Sequence, residues 1–337
     1  MEATLPVTQR MTVLPSSSLP RDDLMSFKGS AGSCSFTNLG CWMVCNILAI
    51  RPPRNTRGSQ RDVGGSLGRI RVAAVQTGIY GNNPGRALKD AEALVRGAAE
   101  KGARLISLPE HWLLSKVLKD DDDPILRRFT KLAEELDAYI NLGAYYESRG
   151  GRTHLTSLTV SPRGSVLSRQ DKVHLYRREK RMASEGSGFR LVTVDGARVG
   201  VLVCHDVVFP ESSRTLTLMG AELLVVPSFI AASGTEPWLV YLRARALENR
   251  VPVVAPNVYH PPKFLGRSSV IDLIYDKKEH VMELFERTAQ DKTTSVVVDL
   301  DLASKSGLRR ERLRELRPSA YLQPAAGADT LDQELGD

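Results

Sequence analysis

VLVCHDVVFPESSRTL, residues 201–216, joins a strand to a helix through a single cysteine. Residues 198–203 read as a short buried strand, because from Val199 onward apolar side chains follow one another with only Gly200 between them. Pro210 suits the first turn of a helix, and Gly220 suits its C-terminal stop. Cys204 therefore sits at a strand end that faces a helix start. Backbone N–H groups and the positive end of a helix dipole are expected there, and both favour thiolate over thiol. A lone cysteine is more often a buried structural side chain, so its reading depends on the company it keeps.

The same strand–turn–helix alternation extends in both directions. Residues 70–76 (IRVAAVQ) form an expected strand, followed by Asn83 and Pro84 as N-cap and N1. Leu88, Ala91, Leu94, Val95 and Ala98 then recur at helical spacing until Gly102. A second strand, 105–108, ends at Pro109 and Glu110. A helix over 125–136 and a strand over 139–145 follow, then a hairpin of 156–161 and 165–169 turning at Arg163 and Gly164. Strand 191–194 meets the cysteine strand through an Asp195–Gly196 turn of hairpin type. Beyond the cysteine come strand 222–226, helix 237–248, strand 251–255, strands near 269–273 and 295–300, and an amphipathic helix near 302–316. Helices alternating with strands, with hairpins mixed in, point to α/β layers with mixed sheets and away from a purely parallel doubly wound sheet.

The ends of the chain read differently. Residues 1–67 are rich in Ser, Pro, Arg and Gly without a sustained period, as in a disordered N-terminal extension. Their apolar patch, 39–50 (LGCWMVCNILAI), is shorter than the roughly 20 residues a bilayer span needs. Residues 68–321 form the expected domain, and 322–337 an acidic, mobile tail.

The net charge of +7 lies in two places, net +3 over residues 1–67 and net +4 over 303–317. No basic stripe interleaves with aromatics, which argues against nucleic acid as a partner. Cys34, Cys41 and Cys45 lie in the extension, while all six histidines lie beyond residue 110, so the extension alone completes no Cys/His zinc site. No regular cysteine framework runs through the domain, which fits a reducing, cytoplasmic setting. Neither GxGxxG after the first strand nor GxxxxGK[ST] occurs, so dinucleotide and phosphate-loop chemistry is not indicated.

Three polar residues occupy matching places at or just past the ends of apolar strands: Glu110 in LISLPEHW, Lys172 in LSRQDKVHLYRREK and Cys204 in VGVLVCHD. Strand C-termini in α/β folds face the crevice where ligands bind. The three types form a usable set. A thiol attacks a carbonyl or nitrile carbon, a carboxylate takes its proton and returns it to the leaving amine, and an ammonium stabilises the oxyanion.

From about residue 69 to about 301 the chain resembles the carbon–nitrogen hydrolase (nitrilase) superfamily. The matching blocks are AAVQT, LISLPE, DKVHLYRREK, VLVCHDVVFPESSRTLTLMGAELLVVPS and RALENRVPVVAPN, in the family's order. The resemblance implies a four-layer α-β-β-α sandwich with two mixed β-sheets, commonly assembled as a homodimer or higher homo-oligomer. It places the family's Glu–Lys–Cys triad on Glu110, Lys172 and Cys204. A second glutamate that positions substrate or water falls on Glu179, and the backbone N–H of His205 becomes an oxyanion donor. It implies thioester chemistry on a small amide or N-carbamoyl compound, without metal or organic cofactor. Nitrile hydrolysis by the same triad, or a non-catalytic binding module on the same scaffold, are the alternatives. Trp112, Tyr145 and Trp238 are candidates for the pocket wall, though core aromatics read the same way. His174 is a rival base. Arg177, Arg178 and Arg181 are candidate cations for a carboxylate-bearing substrate, although such charges are more often solvated surface. Arg245, Glu248 and Asn249 are expected to form a structural network beneath the site.

Overall fold

The computed structural model describes residues 68–317 and 320, apart from 82, 114–116 and 120–122. The expected N-terminal extension and acidic tail lie outside these residues. Within them, two mixed sheets stack face to face. In the first, β1 (Arg69–Gln76) runs antiparallel to β15 (Thr294–Asp301) and parallel to β2 (Leu105–Ser107). The order continues through β4 (Tyr139–Arg149), β5 (Arg152–Val160) and β6 (Val166–Asp171), with the short β3 (Val117–Leu118) also on β4. The second sheet has the order β14 (Val281–Thr288), β13 (Ser269–Asp276), β10 (Val253–Ala255), β9 (Leu223–Val225), β8 (Ala197–Val201) and β7 (Leu191–Val194). A small ribbon pairs β11 (Tyr259–His260) with β12 (Phe264–Leu265).

Side-chain alternation builds the layers. Val72 and Ala74 of β1 meet Val199 and Val201 of β8 and Val254 of β10 in the core between the sheets. The alternate residues Ala73 and Val75 face the other way, onto Ala91 and Val95 of α1 (Pro84–Glu100) and Phe129 of α2 (Pro124–Glu135). The second sheet does the same with Leu224 and Val253, which pack on Leu216 of α3 (Pro210–Met219) and Trp238 and Leu242 of α4 (Thr235–Asn249). Sheets covered on both faces explain why these strands read as continuous apolar runs. The result is an α-β-β-α sandwich, and α5 (Leu302–Arg314) follows β15 directly.

Three local features differ from the sequence reading. β4 and β5 both run past the expected strands 139–145 and 156–161 and join in an unexpected hairpin that turns at Gly150 and Gly151, both at positive φ, a turn signal that the adjacent arginines obscure. β14 is an edge strand whose charged residues hide its alternation, while Met282 and Leu284 still pack on the second sheet's outer core. A 3-10 turn, Cys204–Val208, stands between the cysteine strand and α3.

Candidate active site

Glu110 follows β2 by way of Leu108 and Pro109, where a bulge in β4 between Asn141 and Ala144 makes room. At that bulge Gly143 has φ of +72°, and a Cβ there would run into the Pro109 carbonyl. Only glycine serves at this position. The Glu110 N–H donates to the Ser228 carbonyl at 3.2 Å, tying the end of β2 to the loop after β9. His111 donates its backbone N–H to Ala144 at 2.8 Å.

Lys172 is the first residue past β6, and its N–H donates to Leu155 at 2.8 Å. Its side chain is 1 % exposed. Nζ donates to Glu110 Oε1 at 2.9 Å and to Glu179, whose two oxygens lie 2.9 and 2.8 Å away. Burial works against charge on this ammonium, but Glu110, Cys204 and Glu179 outweigh it and raise its pKa. Glu179 lies on a 3-10 turn, Arg177–Arg181, and accepts the Tyr176 N–H at 2.7 Å. Burial pulls its carboxyl upward, yet His111 and Lys172 hold it down at about 2. The ligand atoms of Glu110, His111 and Glu179 lie within 4.8 Å of one another, as in a metal site. The cation bonded to both carboxylates there is the Lys172 ammonium.

Cys204 has φ of 47°, a left-handed conformation that costs a non-glycine residue about 1–3 kcal/mol. Its N–H donates to Pro227 at 2.9 Å, and the residue is 9 % exposed. The expectation of a resting thiolate is not met. Burial first, then the charge of Glu110, pushes the thiol pKa well above its ordinary 9.0, against the opposing pull of Lys172 and the Phe229 N–H. The helix start expected beside the sulfur lies further on, at Pro210. Cys204 lies near enough to Glu110 to feel its charge, so a proton acceptor stands near the thiol.

The turn after the cysteine is pinned from two sides. Buried Asp206 accepts the Val203 N–H at 3.0 Å and the His174 N–H at 2.8 Å, linking the nucleophile turn to the segment after Lys172. The same carboxylate holds His174 Nδ1 at 2.9 Å, and the imidazole stacks on Phe209 at 3.9 Å. His174 is thus engaged in holding this segment. Arg245 of α4 donates to the carbonyls of Val207 at 2.9 Å and Val208 at 2.7 Å, and to Glu248 at 3.2 Å. Asn249 reaches the same Glu248 oxygen, which completes the expected network.

A cavity of about 490 Å³ opens from Cys204 between Tyr176, Arg177 and His205 on one side and the 229–238 stretch on the other. Trp238 is in its wall, with Nε1 donating to Ser228 Oγ at 3.1 Å. The His205 ring lies 4.8 Å from Tyr176, and burial followed by Lys172 lowers its pKa, so it is a neutral wall. Its backbone N–H is at the start of a helical turn, where N–H groups have no acceptor within the turn.

Trp112 and Tyr145 belong elsewhere. Trp112 donates to the Leu142 carbonyl at 2.8 Å and packs edge-on against Phe129, 5.5 Å between centroids, in the core under the helices. Tyr145 is buried in the same core, because the β4 bulge shifts the alternation by one residue. Ala144 and Tyr146 pack with Cys204 instead. Tyr146, His111 and Phe229 are neighbours that the sequence reading missed, with ring centroids 5.3 and 5.5 Å from His111. A glycine inside a strand was the available sign of the bulge that selects Tyr146.

A sequence model of the carbon–nitrogen hydrolase family matches residues 71–276. A protein named nitrilase from Pyrococcus abyssi is 29 % identical over 266 residues, covering 73 % of this chain and 94 % of that one. Omega-amidase NIT2 from Xenopus tropicalis is 28 % identical over 211 residues, covering 57 % of this chain and 75 % of its own. Among solved structures, a carbon–nitrogen hydrolase from Helicobacter pylori superposes with a TM-score of 0.63 at 22 % identity, covering 75 % of this chain and 97 % of that one. The family match covers both sheets except their edge strands β14 and β15, together with every residue of the buried Glu–Lys–Cys cluster, and this chain belongs to the carbon–nitrogen hydrolases, enzymes that act on C–N bonds other than peptide bonds.

Proposed function

We propose that this enzyme hydrolyses a small amide through a thioester on Cys204. The observation that carries the reading is one buried cluster in which Lys172 bonds both Glu110 and Glu179, and Cys204, in the wall of an open cavity, feels the charges of Glu110 and Lys172. In the first half-reaction Cys204 Sγ forms a bond to the amide carbon while its proton passes to Glu110. Lys172 and the His205 N–H stabilise the oxyanion. Glu110 returns the proton to nitrogen as the C–N bond breaks, and ammonia or an amine leaves. In the second half, water gives a proton to Glu110 and adds to the thioester carbon. The C–S bond then breaks, and the proton goes back to sulfur. Glu179 anchors Lys172. The named omega-amidase among its relatives supports amide over nitrile as the substrate type.

Ammonia release from a panel of small amides, N-carbamoyl amino acids and nitriles tests the reading. Wild type is expected to turn over an amide, and Cys204→Ala to lose at least about a thousandfold in kcat while keeping its fold. Turnover in Cys204→Ala close to wild type would remove the thiol mechanism.

A further inference from the structure

We propose that His111, the residue after Glu110, is a positioning residue: its imidazole holds the Glu179 carboxylate in place, and so keeps one N–H of Lys172 free for the oxyanion. The proposal rests on the reading of Glu110, Lys172 and Cys204 as the reacting group. In an extended chain, consecutive side chains point to opposite faces. His111 departs from that pattern, with a left-handed backbone at φ 53° that a residue with a side chain seldom adopts. Its N–H donates to the Ala144 carbonyl at 2.8 Å, which fixes the turn. Glu110 and His111 thereby both approach Glu179, and one polar atom from each of the three lies within 4.8 Å of the others. Strain of this kind is kept where the surrounding structure makes use of it.

The imidazole is held where it stands. Its ring centroid is 5.3 Å from Tyr146 and 5.5 Å, edge-on, from Phe229, and its side chain is 16 % exposed. Nε2 lies 3.9 Å from Glu179 Oε1. That is longer than a hydrogen bond, and contacts of this kind often tighten when substrate fills the site. The donor count gives the imidazole its task. Glu110 and Glu179 share the ammonium of Lys172, which has three N–H donors. One goes to each carboxylate, and the third is left for the oxyanion. Glu179 has both oxygens near Nζ, at 2.9 and 2.8 Å, so unrestrained it could draw the third donor as well. The Tyr176 N–H occupies Oε2 at 2.7 Å, and His111, with its proton on Nε2, serves Oε1. A carboxylate with a donor on each oxygen stays in place.

The test measures ammonia release from whichever amide of the panel wild type turns over fastest. His111→Phe keeps a ring between Tyr146 and Phe229 but removes the N–H. It is expected to lower kcat about tenfold, with KM changed less than about twofold and Tm kept. His111→Gln, which returns an N–H donor, is expected to recover most of the loss. In a Glu179→Gln background, His111→Phe should cost nothing further, because it acts through that carboxylate. His111→Ala reads the same loss if the larger ring disturbs folding. Wild-type kcat without the imidazole, an equal loss in His111→Gln, or a loss that multiplies with that of Glu179→Gln would overturn the proposal. Turnover that survives Cys204→Ala would instead overturn the thiol reading beneath it. A wild type silent on every amide would remove the amide reading, and the proposal with it.

Discussion

A thiol that is 9 % exposed, left-handed in its backbone and close to the charge of a carboxylate behaves unlike a thiol at a helix start. Burial disfavours the anion, and Glu110 disfavours a second negative charge beside it. The proton therefore stays on sulfur until a substrate arrives, and nucleophile and base act as a pair. This has a measurable consequence. A group whose pKa is raised releases its proton later, so alkylation of Cys204 by iodoacetamide, followed on its own peptide, should keep rising with pH through 9. A rate that levels off below pH 8 would show a stabilised thiolate and contradict the arrangement. Lys172 follows the opposite logic, since the carboxylates around it keep it charged in a site where a lone ammonium would lose its proton.

At the level of elements, the site depends on where strands stop and bend. β2 leads to Glu110 and β8 to Cys204, and the edge strand β6, which runs parallel to β2, delivers Lys172 from the same end of the first sheet. The bulge at Gly143 lets the Pro109 carbonyl lie close against β4, and so sets the position of Glu110 beside Ala144. Gly143→Ala should cost about 1–3 kcal/mol from backbone strain alone, lowering Tm by several degrees together with kcat. An unchanged Tm in thermal denaturation would show that the strand accommodates a side chain there. The same bulge explains an error of sequence reading. Tyr145 is a candidate wall in the sequence only by its place on the strand before the hairpin, but the one-residue slip turns it into the helix-side core and gives Tyr146 to the site.

Across the whole molecule, what could be read in advance was whatever local chemistry dictates. Continuous apolar strands announce a sheet covered on both faces, and Asn83 with Pro84, or Pro210 with Gly220, mark helix ends that the fold keeps. Glu110 and Cys204 are legible because each stands at the end of an apolar run, whereas Lys172 follows the largely polar VLSRQD and is legible through the resemblance of DKVHLYRREK. What escaped were relations between distant segments. Trp112 looks the same in sequence whether it lines a cavity or fills a core, and only the packing of α2 over the first sheet decides it. The resting state of the thiol likewise depends on Glu110, which no local pattern brings to its side. The most direct test of the account is intact-mass analysis of the enzyme quenched in acid during turnover of an amide. A mass gain equal to the amide less ammonia, mapped to the Cys204 peptide and absent from Cys204→Ala, is the predicted result. Sustained ammonia release with no adduct on Cys204, and with Cys204→Ala still active, would contradict it.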